Sequence, residues 1–175
     1  MEGYTKGTIG VLQPRDLPDA DNVAPEADML HLADWEIPHL QKHLLKDGEL
    51  AVMNKGTRLP VFLYKPEYGP MVATSAFYVL TLKPYLLPQY MQWYLKQPVA
   101  RNYFMANLKG SVIPSVTKAV LGGLPVPVLS LADQQHLCSF DAAIAAEEKL
   151  MQHLIKARAE FANSYCEEYI QNHIQ

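Results

Sequence analysis

What most limits how this chain can fold is where its helix breakers stop. All 13 prolines lie at or before Pro127, and all 9 glycines at or before Gly123. Proline removes a backbone donor and clashes with the preceding turn, so a long stretch without it permits one unbroken helix. From 131 to 172 the chain is rich in Ala, Leu, Glu, Gln and Lys, with apolar residues at helical spacing. Ser130, with Asp133 three residues on, forms a capping-box-like start. Those 42 residues make a rod about 63 Å long, at ~1.5 Å per residue. Leu137, Phe140, Ile144, Met151, Leu154, Phe161 and Tyr165 follow a heptad stripe that asks for a second helix, and Glu147 and Arg158 interrupt it. The competing arrangement folds the helix back onto its own domain.

Before Ser130 the texture is different. Prolines punctuate short apolar runs at 8–12, 50–53, 61–64 and 77–82, whose β-branched content and bounding turn residues predict strands. Segments 88–95 and 98–105 each begin with proline, which suits a first helical turn, and are predicted as short helices. The expected fold class is α+β: a mixed α/β globular domain over 1–130, then one long C-terminal helix over 131–175 used for coiled-coil pairing.

Hydrophobic residues make up 49% of the chain and charged residues 19%, a globular composition. No run reaches the roughly 20 apolar residues of a membrane span, and the start lacks the basic and apolar regions of a signal peptide. Cys138 and Cys166 show no metal-ligand spacing and read as reduced packing residues, which points to the cytoplasm. The net charge of −3 conceals an asymmetry. Residues 1–41 carry 2 basic and 8 acidic side chains (−6), 42–118 carry 10 and 3 (+7), and 119–175 carry 3 and 7 (−4). A basic middle suits a polyanion, because Lys and Arg on phosphates release condensed counterions. A solvated basic face with no partner gives the same charge pattern.

The patterns that would carry catalysis do not assemble. His39 and His43 have the i, i+4 spacing of a zinc pair, but the residues between them lack the general-base Glu of H-E-x-x-H, and no third ligand is evident. Glu147-Glu148-Lys149 contains the E-x-K of many nucleases, but in mid-helix, where a solvated face is expected. Phosphate loop, dinucleotide fingerprint, nucleophile elbow and the Asn/Asp-Pro-Pro-aromatic motif of amino methyltransferases are all absent from the sequence. The expectation is a non-enzyme with no cofactor and no metal.

What remains are loops with cationic and hydroxyl side chains. Asn54-Lys55-Gly56-Thr57-Arg58 follows a predicted strand, with a glycine that lets backbone approach a ligand closely. Lys109-Gly110-Ser111 and Ser115-Val116-Thr117-Lys118 flank Ile113-Pro114. Such loops supply N–H, hydroxyl and cationic donors to phosphates, and their longer side chains reach base edges.

In order along the chain, five segments resemble the DNA-specificity subunit of type I restriction-modification enzymes. They are Ile9-Gly10-Val11-Leu12-Gln13-Pro14-Arg15-Asp16-Leu17; Leu45-Lys46-Asp47-Gly48-Glu49-Leu50 with Asn54-Lys55-Gly56 after it; and Pro88-Gln89-Tyr90-Met91-Gln92-Trp93-Tyr94-Leu95. Then come Gly110-Ser111-Val112-Ile113-Pro114-Ser115 through Leu121, and Leu124-Pro125-Val126-Pro127-Val128-Leu129 with Asp133-Gln134-Gln135.

The resemblance implies one target-recognition domain, shortened at its N-terminus, and one spacer helix. The family's full-length subunit carries two such units in tandem and reads a bipartite target, so this chain resembles a half-subunit. Its implied partners are double-stranded DNA, methyltransferase (modification) subunits with the restriction subunit as a further candidate, and a second copy or another half-subunit. The residues assigned to DNA are Gln13, Arg15, Lys55, Arg58, Thr74, Ser75, Lys109, Ser111, Ser115 and Lys118; those assigned to pairing are the seven of the heptad stripe. The alternative is a structural or antagonist protein whose helix pairs with a full specificity subunit without productive DNA binding.

Overall fold

The computed structural model describes residues 9–17, 31–33 (backbone only), 41–109 and 114–173. Six strands and four helices occur among them: β1 (Ile9–Leu12), β2 (His31–Ala33), β3 (Leu50–Met53), β4 (Val61–Leu63), β5 (Met71–Ala73), β6 (Phe77–Leu80), α1 (Pro88–Lys96), α2 (Pro98–Asn107), α3 (Lys118–Gly122) and α4 (Leu131–His173). The mixed class and the long C-terminal helix are as expected. The chain divides into two compact units, Met1–Gln134 and Gln135–Gln175.

Within the first unit the strands form two three-stranded sheets, ordered β2-β1-β5 and β4-β3-β6. In the first sheet β1 runs antiparallel to β2 and parallel to β5, with Leu12 beside Ala73. The second is antiparallel throughout, Leu50 facing Leu63 on one side and Leu80 on the other. Side chains alternate between sheet faces, so the apolar runs of β3 and β4 serve two cores at once. Leu50, Val52, Val61 and Leu63 pack with Met91, Tyr94 and Leu95 of α1 and Phe104 of α2. Ala51, Phe62 and Tyr64, on the opposite face, pack with Leu12 and Met71 of the first sheet. Each large side chain buried this way contributes roughly 1.5–3 kcal/mol.

Tyrosine hydroxyls hold α3 and the proline-rich stretch after it against α1 and α2. Tyr94 donates to the Pro125 carbonyl at 2.6 Å, Tyr90 to Pro127 at 2.8 Å, and Tyr103 to Val120 at 3.1 Å. The edge of β4 is covered in part by α1, where the Gln92 amide donates to the Val61 carbonyl at 3.2 Å. Before β3, Gly48 turns the chain at φ +77°, and a Cβ there would come within 3.0 Å of Pro88. The buried Glu49 carboxylate closes that turn by accepting from the Lys46 N–H at 2.9 Å and the Thr81 hydroxyl at 2.7 Å.

Helix α4 runs 43 residues, within a residue of the expected span. At its start Ser130 Oγ accepts from the Asp133 N–H at 3.2 Å. The expected reciprocal arm differs: the Asp133 carboxylate takes the Ser130 hydroxyl at 2.6 Å, consistent with a side chain one methylene shorter than the Glu of a full capping box. Gln134 is the buried residue of this helix, at 0% exposure. Its Oε1 accepts from the Leu87 N–H at 2.8 Å, and its Nε2 donates to the carbonyls of Tyr85 and Leu129, each at 2.9 Å. All three partners are backbone groups, so the amide ties the helix start to the loop before α1. Gln134→Leu keeps the bulk and orphans them; it should lower unfolding free energy by about 2–4 kcal/mol in a urea melt, whereas Gln135→Leu should change it by less than about 0.5.

Candidate nucleic-acid interface

Parallel pairing of β1 with β5 brings the turns that leave their C-terminal ends together. The Thr74 N–H donates to the Leu12 carbonyl at 3.1 Å, so the turn carrying Gln13 and Arg15 starts beside the one carrying Thr74 and Ser75. Asp16 stiffens the first turn, its buried carboxylate accepting from the Gln13 N–H at 2.7 Å. Arg15 is left exposed.

Asn54, at the end of β3, joins this pair of turns to the basic loops. Its backbone N–H donates to the Ala76 carbonyl at 2.8 Å and its side-chain amide to the Ser75 carbonyl at 3.1 Å. In return its carbonyl accepts from the Val116 N–H at 3.0 Å, while Gly56 N–H donates to Pro114 at 2.8 Å. Lys55 and Lys109 both bridge to Ser115, and Lys109 and Ser115 exchange backbone bonds of 3.1 and 2.9 Å.

The Lys55 loop holds its shape through two residues with positive φ, Gly56 at 88° and Leu59 at 46°. Glycine adopts this region freely, whereas for leucine it costs roughly 1–2 kcal/mol. The Leu59 side chain is buried in the helix-facing core, and that burial offsets the strain. The loop's cations Lys55 and Arg58 are exposed. Thr117 caps α3 by accepting from the Val120 N–H at 3.2 Å, which presents exposed Lys118 at the first position of that helix. Lys118 Nζ stands 5.9 Å from the centre of the Tyr78 ring. Ser75 and Lys118 line one cleft of about 760 Å³, walled by β6 on one side and by Leu121, Leu124 and Val126 on the other.

Eight of the residues assigned to DNA by sequence thus lie on loops that hydrogen bonds connect: Gln13, Arg15, Thr74, Ser75, Lys55, Arg58, Lys109 and Ser115. Lys118 follows directly after the Val116 bridge, and Ser111 lies outside the described residues, as does His39. Thr74 differs from its assigned role. Its hydroxyl oxygen is shut off from solvent with no hydrogen-bond partner among the described residues, so the residue contributes its backbone N–H instead. Two positions sequence reasoning passed over are Asn54, 8% exposed, and Gln134. Each is a buried polar side chain whose amide bonds to backbone groups distant in sequence. Neither stands out in the sequence, where Asn54 opens onto Lys55-Gly56-Thr57-Arg58 and Gln134 lies between Asp133 and Gln135; their burial comes from the tertiary fold, where an amide persists only with its bonds made.

Elsewhere, burial pushes the Cys138 thiol up, with the Asp141 carboxylate adding to it, so the group stays protonated. Tyr64 is raised by burial and by Asp47, and its hydroxyl donates to the Gly69 carbonyl at 2.8 Å. Cys166 is exposed, unlike the packing residue the sequence suggested. No three His, Cys, Asp or Glu side chains converge on a metal-sized site among the described residues. Among these residues, also, no helix is long and apolar enough to cross a membrane.

The seven stripe residues fall on α4 as expected. Phe140 is 61% exposed, Leu154 70% and Phe161 73%, with Leu137 half-buried. Leu150, Ile155, Tyr169 and Ile170 widen the exposed apolar surface. Compared with known proteins, the chain matches no protein-family model and no curated protein.

Asn54→Ala should remove the bond to Ser75 and cost about 1–2 kcal/mol of stability. Hydrogen exchange at the Val116 and Gly56 amides should accelerate in the same variant, and unchanged protection there would mean the loops hold together without this side chain.

Proposed function

We propose that this chain is a non-catalytic DNA-recognition half-subunit of a type I restriction-modification system. In this reading it contacts one half of a bipartite target, docks methyltransferase subunits, and pairs through α4. The observation that carries the proposal is the convergence of Lys55, Lys109 and Ser115, joined by backbone bridges and flanked by exposed Arg15, Arg58 and Lys118. Loops stitched by their own backbones keep cations in register without a cofactor or metal. Cations held at fixed spacing suit the regularly spaced phosphates of a duplex, while the side chains between them are free to meet base edges.

Exposed apolar side chains along α4 also support the second reading, a structural or antagonist protein that pairs with a full specificity subunit without productive DNA binding. A gel shift with the methyltransferase partner present separates the two. The recognition reading expects a retarded complex that weakens as salt rises; the antagonist reading expects subunit association and no DNA in the complex.

Removing the two bridging cations should act on affinity for every sequence alike. For Lys55→Ala combined with Lys109→Ala, the slope of log affinity against log salt should flatten by about 1.8, at ~0.9 per phosphate contact. An unchanged slope would take this loop cluster off the DNA face.

A further inference from the structure

Two charged residues interrupt the apolar stripe of α4, and their placement is symmetric. The stripe advances by alternating steps of three and four through Phe140, Ile144, Glu147, Met151, Leu154, Arg158, Phe161 and Tyr165. Glu147 and Arg158 stand equally far on either side of the midpoint between Met151 and Leu154. Both are exposed on the helix, whose nearby ion pair, Lys156 with Glu160 at 3.8 Å, involves neither of them. A charge in the seam of a helix pair gains little net stability, but it excludes arrangements in which it meets apolar side chains or its own sign.

We infer that α4 pairs with α4 of a second copy in one antiparallel register, in which Glu147 of each chain meets Arg158 of the other. This deepens the pairing part of the proposed function and does not depend on DNA binding. The same two-fold axis sets Met151 against Leu154, Ile144 against Phe161 and Phe140 against Tyr165, apolar on apolar in these three layers, while Leu137, the first residue of the stripe, falls opposite Glu168 at the outer end of the pair. The alternatives fail on charge. A parallel in-register pair would face Glu147 with Glu147 and Arg158 with Arg158. Slipping the antiparallel pair by one heptad in one direction sets Glu147 against Met151 and Arg158 against Phe140. Slipping it in the other sets Glu147 against Tyr165 and Arg158 against Leu154. One register alone pairs both charges, and it pairs each of them twice. In it the two Leu131 ends lie about 64 Å apart along the axis, at ~1.5 Å per residue, close to two turns of B-DNA at ~34 Å each.

Charge reversal on the full-length chain, followed by sedimentation equilibrium without DNA, tests the register. Glu147→Arg alone sets Arg against Arg in two layers, and Arg158→Glu alone sets Glu against Glu. Each should weaken self-association on the order of 100-fold. The double variant E147R/R158E recreates the pairs with their signs exchanged and should restore dimerisation to within a few-fold of the original. Circular dichroism should show the same helix content in all four proteins, because both positions are solvent-facing on the single helix. A monomeric original chain overturns the inference, as do single variants that dimerise as well as the original or a double variant that fails to recover. Since no DNA is present, a dimer with the expected charge pattern that binds no DNA would remove the recognition reading and leave the register standing.

Discussion

Strand β3 is buried on both faces from Leu50 to Val52, and most of the first unit follows from that. Leu50 and Val52 need helices on one side, while Ala51 needs the first sheet on the other, so a four-residue strand fixes a three-layer order. Its neighbours on both edges, β4 and β6, inherit the same two-sided burial in part. Where β3 ends, Asn54 is still buried, and its backbone N–H, backbone carbonyl and side-chain NH2 each find a partner. The partners available are the backbone of the turn before β6 and the backbone at Val116. Satisfying this one buried residue, through its backbone groups as well as its side-chain amide, therefore gathers the loops that carry exposed Lys55, Arg58 and Lys109. The candidate interface is a consequence of what the core's own hydrogen bonds require.

How much of this was legible in the sequence depended on whether a pattern was local. The long helix declared itself through absent breakers and a heptad stripe, and the two proline-led helices through their first residues. Strands β1, β3, β4 and β6 stood out because apolar β-branched runs lay between turn residues. Strands β2 and β5, at three residues each, are too short to show a period, and they exist because β1 supplies a partner on each side. Lys55, Lys109 and Ser115 were recognisable as donors in loops, but nothing local places residue 55 beside residue 115. That adjacency comes from Asn54 and the Val116 bridge, which are tertiary facts. Gln134 was visible only as part of a family-like segment, and its role emerged from three backbone partners, two of them far away in the chain.

Helix α4 presents the opposite case, in which the sequence carries more than the single chain displays. Beyond Gln134 none of its described side chains is buried, yet large apolar residues recur at seam spacing over most of its length. Such a surface is costly to leave in water and is ordinarily covered by another helix. Its two seam charges turn a generic sticky face into one with a preferred orientation. Under the proposed function, one recognition domain joined to such a helix would read one stretch of DNA, and a two-fold pair would read that stretch twice in inverted order.

Methylation mapping of a genome, with and without this gene, tests that account most directly. The account predicts loss of one bipartite methylated motif whose two halves are inverted repeats around an unspecified spacer of constant length. An unchanged methylation pattern would contradict the recognition role. A lost motif with two unrelated halves would contradict pairing of identical copies.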